Sequence, residues 1–201
     1  SQLFYKQQEV VNNLKRLGGI VPEETLPILG CEKPYFYRNK IEFSFSETRW
    51  LTPEEIASKE TIDSRNGLGF HIAGAWDKVL DIHKCHLQQD PSNAIRNTLK
   101  AYALSQGYTF YNPRTHTGWL RTIMIRITSL GELMVVIQFL EEQQHEREQL
   151  LDYLLAQFPQ ITSLQYIINN KPNDTIYDQE VICYHGRDFI YEQMEGLRFK
   201  I

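Results

Sequence analysis

Two apolar segments decide the fold: LRTIMIRIT at residues 120–128 and LMVVIQFL at residues 133–140. Both are rich in isoleucine, valine and other large apolar residues, which favour β-strands, and both have the usual length of a strand. Leu130-Gly131-Glu132 lies between them and contains the glycine that a tight turn favours. The two segments therefore predict a β-hairpin in the centre of the sequence.

A helix and a further strand follow this hairpin. Residues 142–158 place four leucines and Phe158 on one face at helical spacing, and Pro159 is typical of a helix end. Residues 163–169 are again short and apolar, which predicts a third strand. The region from 120 to 169 is thus predicted to form a β-β-α-β unit.

The flanking segments predict the remaining elements. In residues 37–45 apolar and polar side chains alternate, which predicts a strand with Arg38 and Lys40 on the same polar face. The other predicted elements are a helix over 1–17 ended by Gly18-Gly19, a short helix after the capping box of Thr52 and Glu55, a polar loop over 60–67, strands at 68–72 and 78–82, a helix opened by Asp90-Pro91 and ended by Gly107, and a final hairpin of strands 181–184 and 189–192 around 185–187. We expect an α+β protein with a mostly antiparallel sheet and flanking helices.

Length and composition restrict the class of protein. The chain has 201 residues, which suits one domain with a helical part at 1–19, a first sheet region at 35–86 and a region at 90–201 that holds the β-β-α-β unit. No apolar run approaches the ~20 residues of a membrane span. Three widely spaced cysteines favour a reducing cytoplasm over a disulfide framework. The net charge is −4, so a nucleic-acid site would have to be a local basic face.

The sequence lacks the motifs of several common active sites. It contains no P-loop, HExxH or GxSxG motif, and the glycines of residues 67–74 have the wrong spacing for a cofactor-binding loop. His83, Cys85 and His86 lie close together, but a structural zinc site usually takes two short-spaced pairs of ligands and no second pair exists. No complete active site is therefore expected in this chain.

Six short motifs follow one another along the chain. They are Tyr37-Arg38-Asn39-Lys40, Gly69-Phe70-His71, Val79-Leu80-Asp81-Ile82-His83-Lys84-Cys85, Gly118-Trp119-Leu120-Arg121 with Arg126, Phe158-Pro159 with Ser163-Leu164, and Asn169-x-Lys171-x-Asn173-Asp174. Each motif alone is weak, but their order and spacing over almost the whole chain resemble the RNA (uracil-5-)-methyltransferase family. The resemblance is to the branch that acts on 23S ribosomal RNA.

The resemblance implies the central part of a larger enzyme that uses S-adenosylmethionine. Family members place this part between an RNA-binding barrel and a Rossmann-like domain, which holds the cofactor site and the catalytic cysteine and base. Those groups would lie beyond Ile201, so we expect this chain alone to be inactive and to bind no cofactor. The missing initiator Met and the strand-like end at 197–201 also favour a fragment. The resemblance further implies a [4Fe–4S] cluster in the full-length protein, with Cys85 as its fourth ligand.

Four residues are candidates for contact with RNA: Arg38, Lys40, Trp119 and Arg121. Arg38 and Lys40 can hold two successive phosphates, although such a pair is also typical of a solvated face. Trp119 can stack on an unpaired base or pack in the core. Arg121 and Arg126 are five residues apart, so they point to opposite faces of a strand unless a bulge intervenes. We assign Arg121 to RNA and a structural pairing to Arg126.

Other interpretations remain open besides ribosomal RNA as the partner. The chain can be a complete RNA-binding module, or it can belong to a member of the same family that acts on transfer RNA. It can also be a protein-interaction domain without a nucleic-acid role, which the acidic net charge favours. Salt-dependent binding of RNA would count against the last interpretation. The sequence indicates neither a membrane nor a protein partner.

Overall fold

A computed structural model describes residues 2–62 and 64–201. Ser1, the first residue of the predicted helix, and Asp63, within the predicted loop, lie outside the described residues. The chain divides into two compact units, one ending at Tyr35 and one running from Phe36 to Ile201. No helix of the described residues is long and apolar enough to cross a membrane.

The first unit consists of a helix and an extended segment. Helix α1 spans Gln2–Arg16, and Gly19 follows it with a φ of 63°, the left-handed conformation that commonly ends a helix. The Gln7 side chain donates to the carbonyl of Leu26 at 3.1 Å and accepts from the amide of Ile28 at 3.2 Å. These two bonds tie the extended segment to the helix within this unit.

The second unit is built on a seven-stranded sheet. Its elements are β1 (Lys40–Ser46), α2 (Pro53–Ser58), β2 (Gly67–Ile72), β3 (Ala75–Asp81), α3 (Ser92–Ser105), β4 (Leu120–Ile127), β5 (Leu133–Phe139), α4 (Gln144–Gln157), β6 (Ser163–Ile168) and β7 (Ile182–Gly186), followed by a two-stranded sheet of β8 (Tyr191–Met194) and β9 (Leu197–Lys200). The strand order is β3-β2-β1-β4-β5-β6-β7, and among the strands of the described residues only β5 and β6 pair in parallel. The α+β prediction with a mostly antiparallel sheet is confirmed.

The predicted β-β-α-β unit is confirmed as β4, β5, α4 and β6. The chain passes through α4 between β5 and β6, and such a crossover lets consecutive strands pair in parallel. The predicted regions at 35–86 and 90–201 contribute strands to the same sheet, because β1 of the first region pairs with β4 of the second.

Most of the core lies on one face of the sheet. Ile41, Phe43 and Phe45 of β1 are buried there, as their alternation predicted, and they share a cluster with Leu99 of α3 and Leu154 of α4. A smaller cluster of Met134, Val136, Ile167 and Ile190 forms separately. Burial of these large side chains stabilises the fold by ~1.5–3 kcal/mol for each one.

The predicted final hairpin is wrong. β7 pairs with β6 at the sheet edge, whereas β8 pairs with β9 in the separate sheet. The turn between β8 and β9 has positive φ at Glu195 (50°) and Gly196 (80°), which is the backbone geometry of the two-residue turns that hairpins favour. The sequence pattern of residues 181–192 could not show that β7 would pair with the free edge of the distant strand β6.

Two helix starts test the predicted caps. Thr52 caps α2, and the reciprocal bonds with Glu55 form the predicted capping box. Helix α3 begins at Ser92, so Pro91 is its N-cap residue and not its first helical residue. Asp90 still contributes, because its carboxylate accepts the amide of Asn93 at 3.1 Å.

Candidate nucleic-acid interface

The sheet has an outer face, defined by the residues of β1 and β4 that alternate with the core residues: Lys40, Glu42, Ser44, Thr122, Met124 and Arg126. The register sets Lys40 opposite Arg126, and Ser44 opposite Thr122. Opposed residues of antiparallel strands have Cβ atoms only about 5 Å apart. The pairing of β1 with β4 therefore brings Lys40 and Arg126 together.

Lys40 and Arg126 form a pair of cations that takes part in no ion pair with a described carboxylate. Lys40 is exposed, and neither side chain makes an ion pair with another described residue. Arg126 is half-buried, and burial lowers the pKa of its guanidinium. Burial raises the pKa of the neighbouring Glu42, an effect that the charge of Lys40 opposes. Two adjacent cations with one neighbouring carboxylate carry excess positive charge, which suits an external anion such as phosphate.

Arg38 does not lie on the strand, because β1 begins at Lys40. Its backbone amide donates to the carbonyl of Leu87 at 2.9 Å, and its side chain is exposed. The expectation that Arg38 and Lys40 share one strand face is therefore wrong. Arg38 is a solvent-facing cation two residues ahead of Lys40.

Arg121 lies at a bulge in β4, where Leu120 faces Phe139 and Thr122 faces the next residue, Gln138. Arg121 is the extra residue of this bulge, so the simple alternation of a strand does not determine which face of the sheet its side chain is on. The assignment of Arg121 to RNA depended on that alternation. Only 1% of its surface is exposed. Its guanidinium donates to the carbonyls of Asn169 and Lys171, each at 2.6 Å.

The same guanidinium also holds the end of the loop after β6. It donates to the carbonyl of Asn173 at 3.0 Å and to the carboxylate of Asp174 at 2.5 Å. The side chain of Asn169 adds a bond to the Asn173 carbonyl at 3.1 Å. The loop of residues 169–174 is thus fastened by a buried arginine, which leaves Arg121 in a structural position.

Trp119 is buried, with 2% of its surface exposed. Its ring stacks on Phe139 with 4.6 Å between ring centres, and its indole N–H donates to the carbonyl of Glu141 at 3.1 Å. Gly118 precedes it with a φ of 96°, and a Cβ there would lie 2.0 Å from the carbonyl oxygen of Phe110. Trp119 accordingly offers no ring face to an RNA base in this conformation.

A cleft of about 140 Å³ opens where β1 ends. We call it the aromatic cleft; it is lined by Ser44, Phe45, Ser46, His71, Trp76, Tyr111, Pro113, Arg121, Pro172 and Asp174. Trp76 is the most accessible of its aromatic residues, with 61% of its surface exposed. Sequence reasoning missed this cleft, and it assigned Arg126 a structural pairing that is absent among the hydrogen bonds and ion pairs of the described residues. The signals were a tryptophan two residues after the turn glycine Gly74 and a cation in the middle of an apolar strand.

Cys85 lies at the start of the chain segment between β3 and α3, and only 4% of its surface is exposed. Its sulfur accepts the amide of Leu87 at 3.5 Å, and Asn93 bonds to its backbone on both sides. The buried guanidinium of Arg96 interacts with it electrostatically and has two N–H groups without a partner. This environment suits one thiolate ligand of an anionic group. In this chain Cys85 is a buried free thiol.

The described residues do not supply the rest of an iron–sulfur site. No group of three or more potential metal-ligating side chains occurs among residues 2–62 and 64–201. Cys31 and Cys183 are both exposed, and no cysteine is in a disulfide. A [4Fe–4S] cluster normally takes four thiolates, so the chain by itself does not fit one.

No family model matches the chain. It is 52% identical over 203 aligned residues to a Bacteroides thetaiotaomicron protein named uncharacterized RNA methyltransferase, which covers 100% of the chain and 45% of that relative. A Porphyromonas gingivalis protein of the same name is 51% identical, with 100% and 44% covered. A Chlorobaculum tepidum protein, also named uncharacterized RNA methyltransferase, is 32% identical, with 100% and 42% covered. The chain thus spans less than half the length of these relatives.

A solved structure confirms the fold. The Pyrococcus abyssi tRNA (uracil-54, C5)-methyltransferase, crystallised with S-adenosyl-L-homocysteine, matches with a TM-score of 0.64 at 21% identity. The match covers 99% of this chain and 43% of that one. Over its whole length, the chain is therefore similar in sequence to part of bacterial RNA methyltransferases and similar in fold to part of a tRNA methyltransferase.

Proposed function

We propose that this chain is the RNA-positioning part of a bacterial RNA (uracil-5-)-methyltransferase that uses S-adenosylmethionine in the cytoplasm. The observation that carries the proposal is the Lys40–Arg126 cation pair, which lies on the outer face of the sheet and makes no ion pair with another described residue. Relatives named RNA methyltransferases are similar to the chain over its whole length, which supports RNA as the anion.

The methyl transfer itself is assigned to the part of the relatives that the chain does not cover. Uracil C5 is a poor nucleophile, so such enzymes add a cysteine thiolate to C6 before C5 attacks the methyl group, and a base then removes the C5 proton. This chain has no glycine-rich cofactor motif. We therefore expect it to bind no adenosylmethionine and to methylate no uridine on its own.

The chain's own contribution is to hold RNA while the target base leaves its stack. Removal of a base from a stack costs a few kcal/mol, and phosphate contacts fix the strand while this happens. Lys40 and Arg126 would contact neighbouring phosphates as charged donors, and Arg38 extends the positive charge along the chain. Trp119 and Arg121 are left out of these phosphate contacts because they are buried.

The class of RNA is ribosomal in this proposal, because the sequence motifs resemble the branch acting on 23S RNA. The second candidate is transfer RNA, which the name of the Pyrococcus abyssi enzyme favours. Competition between a 23S RNA fragment and unmodified transfer RNA for the chain separates the two. Stronger binding of transfer RNA would replace the ribosomal proposal.

For the full-length protein we also propose Cys85 as one ligand of a [4Fe–4S] cluster. Its burial, the amide that it accepts and the nearby Arg96 support this role. A protein that includes the sequence upstream of Ser1 should contain iron and lose it on Cys85→Ser. Retention of a full cluster in that variant would reject Cys85 as a ligand.

The experiment that tests the proposal measures RNA affinity against salt concentration. Each phosphate contact with single-stranded RNA should contribute ~0.7 to the slope of log affinity against log salt, so Lys40→Ala/Arg126→Ala should lower the slope by ~1.4. Lys15→Ala/Arg16→Ala on α1 removes the same charge elsewhere and is the matched control. An unchanged slope in the first variant, or equal losses in both, would place RNA binding elsewhere.

A further inference from the structure

We propose that the aromatic cleft binds one unpaired nucleobase of the RNA that the Lys40–Arg126 pair holds by its phosphates. This inference rests on the proposed function and adds a base-binding site to it. The cleft lies at the Ser44–Ser46 end of β1, on the outer face that also carries Lys40.

The cleft offers a fixed aromatic surface. Trp76 is 61% exposed, more than Trp50 at 44% and Trp119 at 2%. The guanidinium of Arg114 lies 5.6 Å from its ring centre and is itself fixed by a bond of 2.6 Å to Asp77. An exposed indole held in place by its neighbours suits stacking with a base, because every nucleobase has a flat π-face.

The cleft also has polar groups that the fold leaves unused. The Nε–H of Arg121 is buried and has no hydrogen-bond partner, although the rest of its guanidinium is fully engaged. The side chains of Ser44 and His71 make no hydrogen bond with a described residue. An unpaired base is recognised through donors and acceptors on its edge, and these groups can supply them.

Charge distinguishes this cleft from the cation pair. Within the cleft Arg121 is paired with Asp174, and beside Trp76 Arg114 is paired with Asp77, so these charges largely cancel. A phosphate there would meet the carboxylate of Asp174, whereas an uncharged base would not be repelled. Lys40 and Arg126 lack such partners and suit the phosphate instead.

The two sites lie within reach of one RNA strand. Lys40 and Ser46 are six residues apart on β1, a distance of ~20 Å. That distance corresponds to about six nucleotides at the stacked spacing of ~3.4 Å, and to fewer in an extended strand. A short single strand can therefore place phosphates on the cation pair and one base in the cleft.

The test uses a fluorescein-labelled single-stranded RNA of mixed sequence, long enough to span ~20 Å, with an abasic site moved along it. Trp76→Ala should weaken binding about 5- to 100-fold, the usual loss of an aromatic stacking partner, and should leave the salt slope unchanged. One abasic position should weaken binding to the unaltered chain and have no further effect in Trp76→Ala. Trp50→Ala is the control, since Trp50 is also exposed and lies outside the cleft.

The outcomes separate the cleft from the proposed function. If Trp76→Ala binds RNA with unchanged affinity, or if both tryptophan variants lose affinity equally, base binding in the cleft is overturned. The proposed function can still stand in that case, because the salt slope of Lys40→Ala/Arg126→Ala tests RNA binding separately. Additive losses from the abasic site and Trp76→Ala also overturn it. If the unaltered chain does not bind the RNA at all, the cleft and the proposed function both fail.

Discussion

The guanidinium of Arg121 lies 4.3 Å from the ring centre of Tyr111, and both side chains are buried. Burial raises the pKa of Tyr111, and the charge of Arg121 opposes that effect. A buried charge requires partners that remain in place, since loss of the partners leaves it without solvation. This arginine has them in the carbonyls of the loop at 169–174 and in Asp174.

We predict that Arg121→Met lowers the free energy of unfolding by ~2–4 kcal/mol, because buried loop carbonyls lose their donor. Urea denaturation measures the loss, and hydrogen exchange should show residues 169–174 opening before the sheet. Arg187→Met is the control: Arg187 pairs with Glu132 at a more exposed site, so its loss should cost below ~1 kcal/mol. Equal losses in the two variants would show that the loop does not depend on Arg121.

Much of the fold could be predicted from the sequence because neighbouring residues determine it. The alternation in β1 marks its buried face, and the hairpin of β4 and β5 agrees with the two apolar segments around the glycine turn. The facing of Arg121 could not be predicted in this way. A single extra residue at the bulge shifts the alternation, and spacing alone does not reveal a bulge.

The candidate site was harder to predict, because its parts come from distant strands. The Lys40–Arg126 pair exists only because β1 pairs with β4, although two strands and two helices lie between them in the sequence. No local pattern specifies that pairing. Trp119 and Trp76 are the same residue type, yet Trp119 packs on Phe139 and Trp76 is exposed.

A second prediction concerns the stability of the cation pair. Like charges on directly opposed strand residues destabilise a sheet, so Lys40→Ala should leave the free energy of unfolding unchanged or raise it by ~0.2–1 kcal/mol, while RNA affinity falls. Thermal denaturation and the RNA titration are measured on the same samples. Lower stability together with lower affinity would indicate that Lys40 supports the fold and would remove the evidence for a functional role.

A third prediction concerns the pH dependence of α2. A bidentate hydrogen bond from Arg49, at 2.5 and 2.9 Å, lowers the pKa of Glu55 to about 2. A lowered carboxyl pKa contributes stability that is present above the unfolded value of 4.5 and is lost as the pH falls towards about 2. Glu55→Gln should therefore be less stable than the unaltered chain at neutral pH, and the difference should shrink across that acidic window.

The measurement for Glu55 is urea denaturation at a series of pH values. Glu60→Gln is the matched control, since the Glu60 side chain is exposed and has no partner among the described residues. A difference between Glu55→Gln and the unaltered chain that does not change with pH would mean that the carboxylate charge is not responsible.

The last prediction concerns the three thiols. Cys31 and Cys183 are exposed and Cys85 is buried, so Ellman's reagent should modify two thiols rapidly and the third only as the fold opens. Burial raises the pKa of Cys183, and the thiolate is the reacting species, so Cys183 should react more slowly than an ordinary exposed thiol at neutral pH. Serine variants of each cysteine assign the phases. Three rapid thiols would show that Cys85 is accessible, and its buried environment would then no longer support a ligand role.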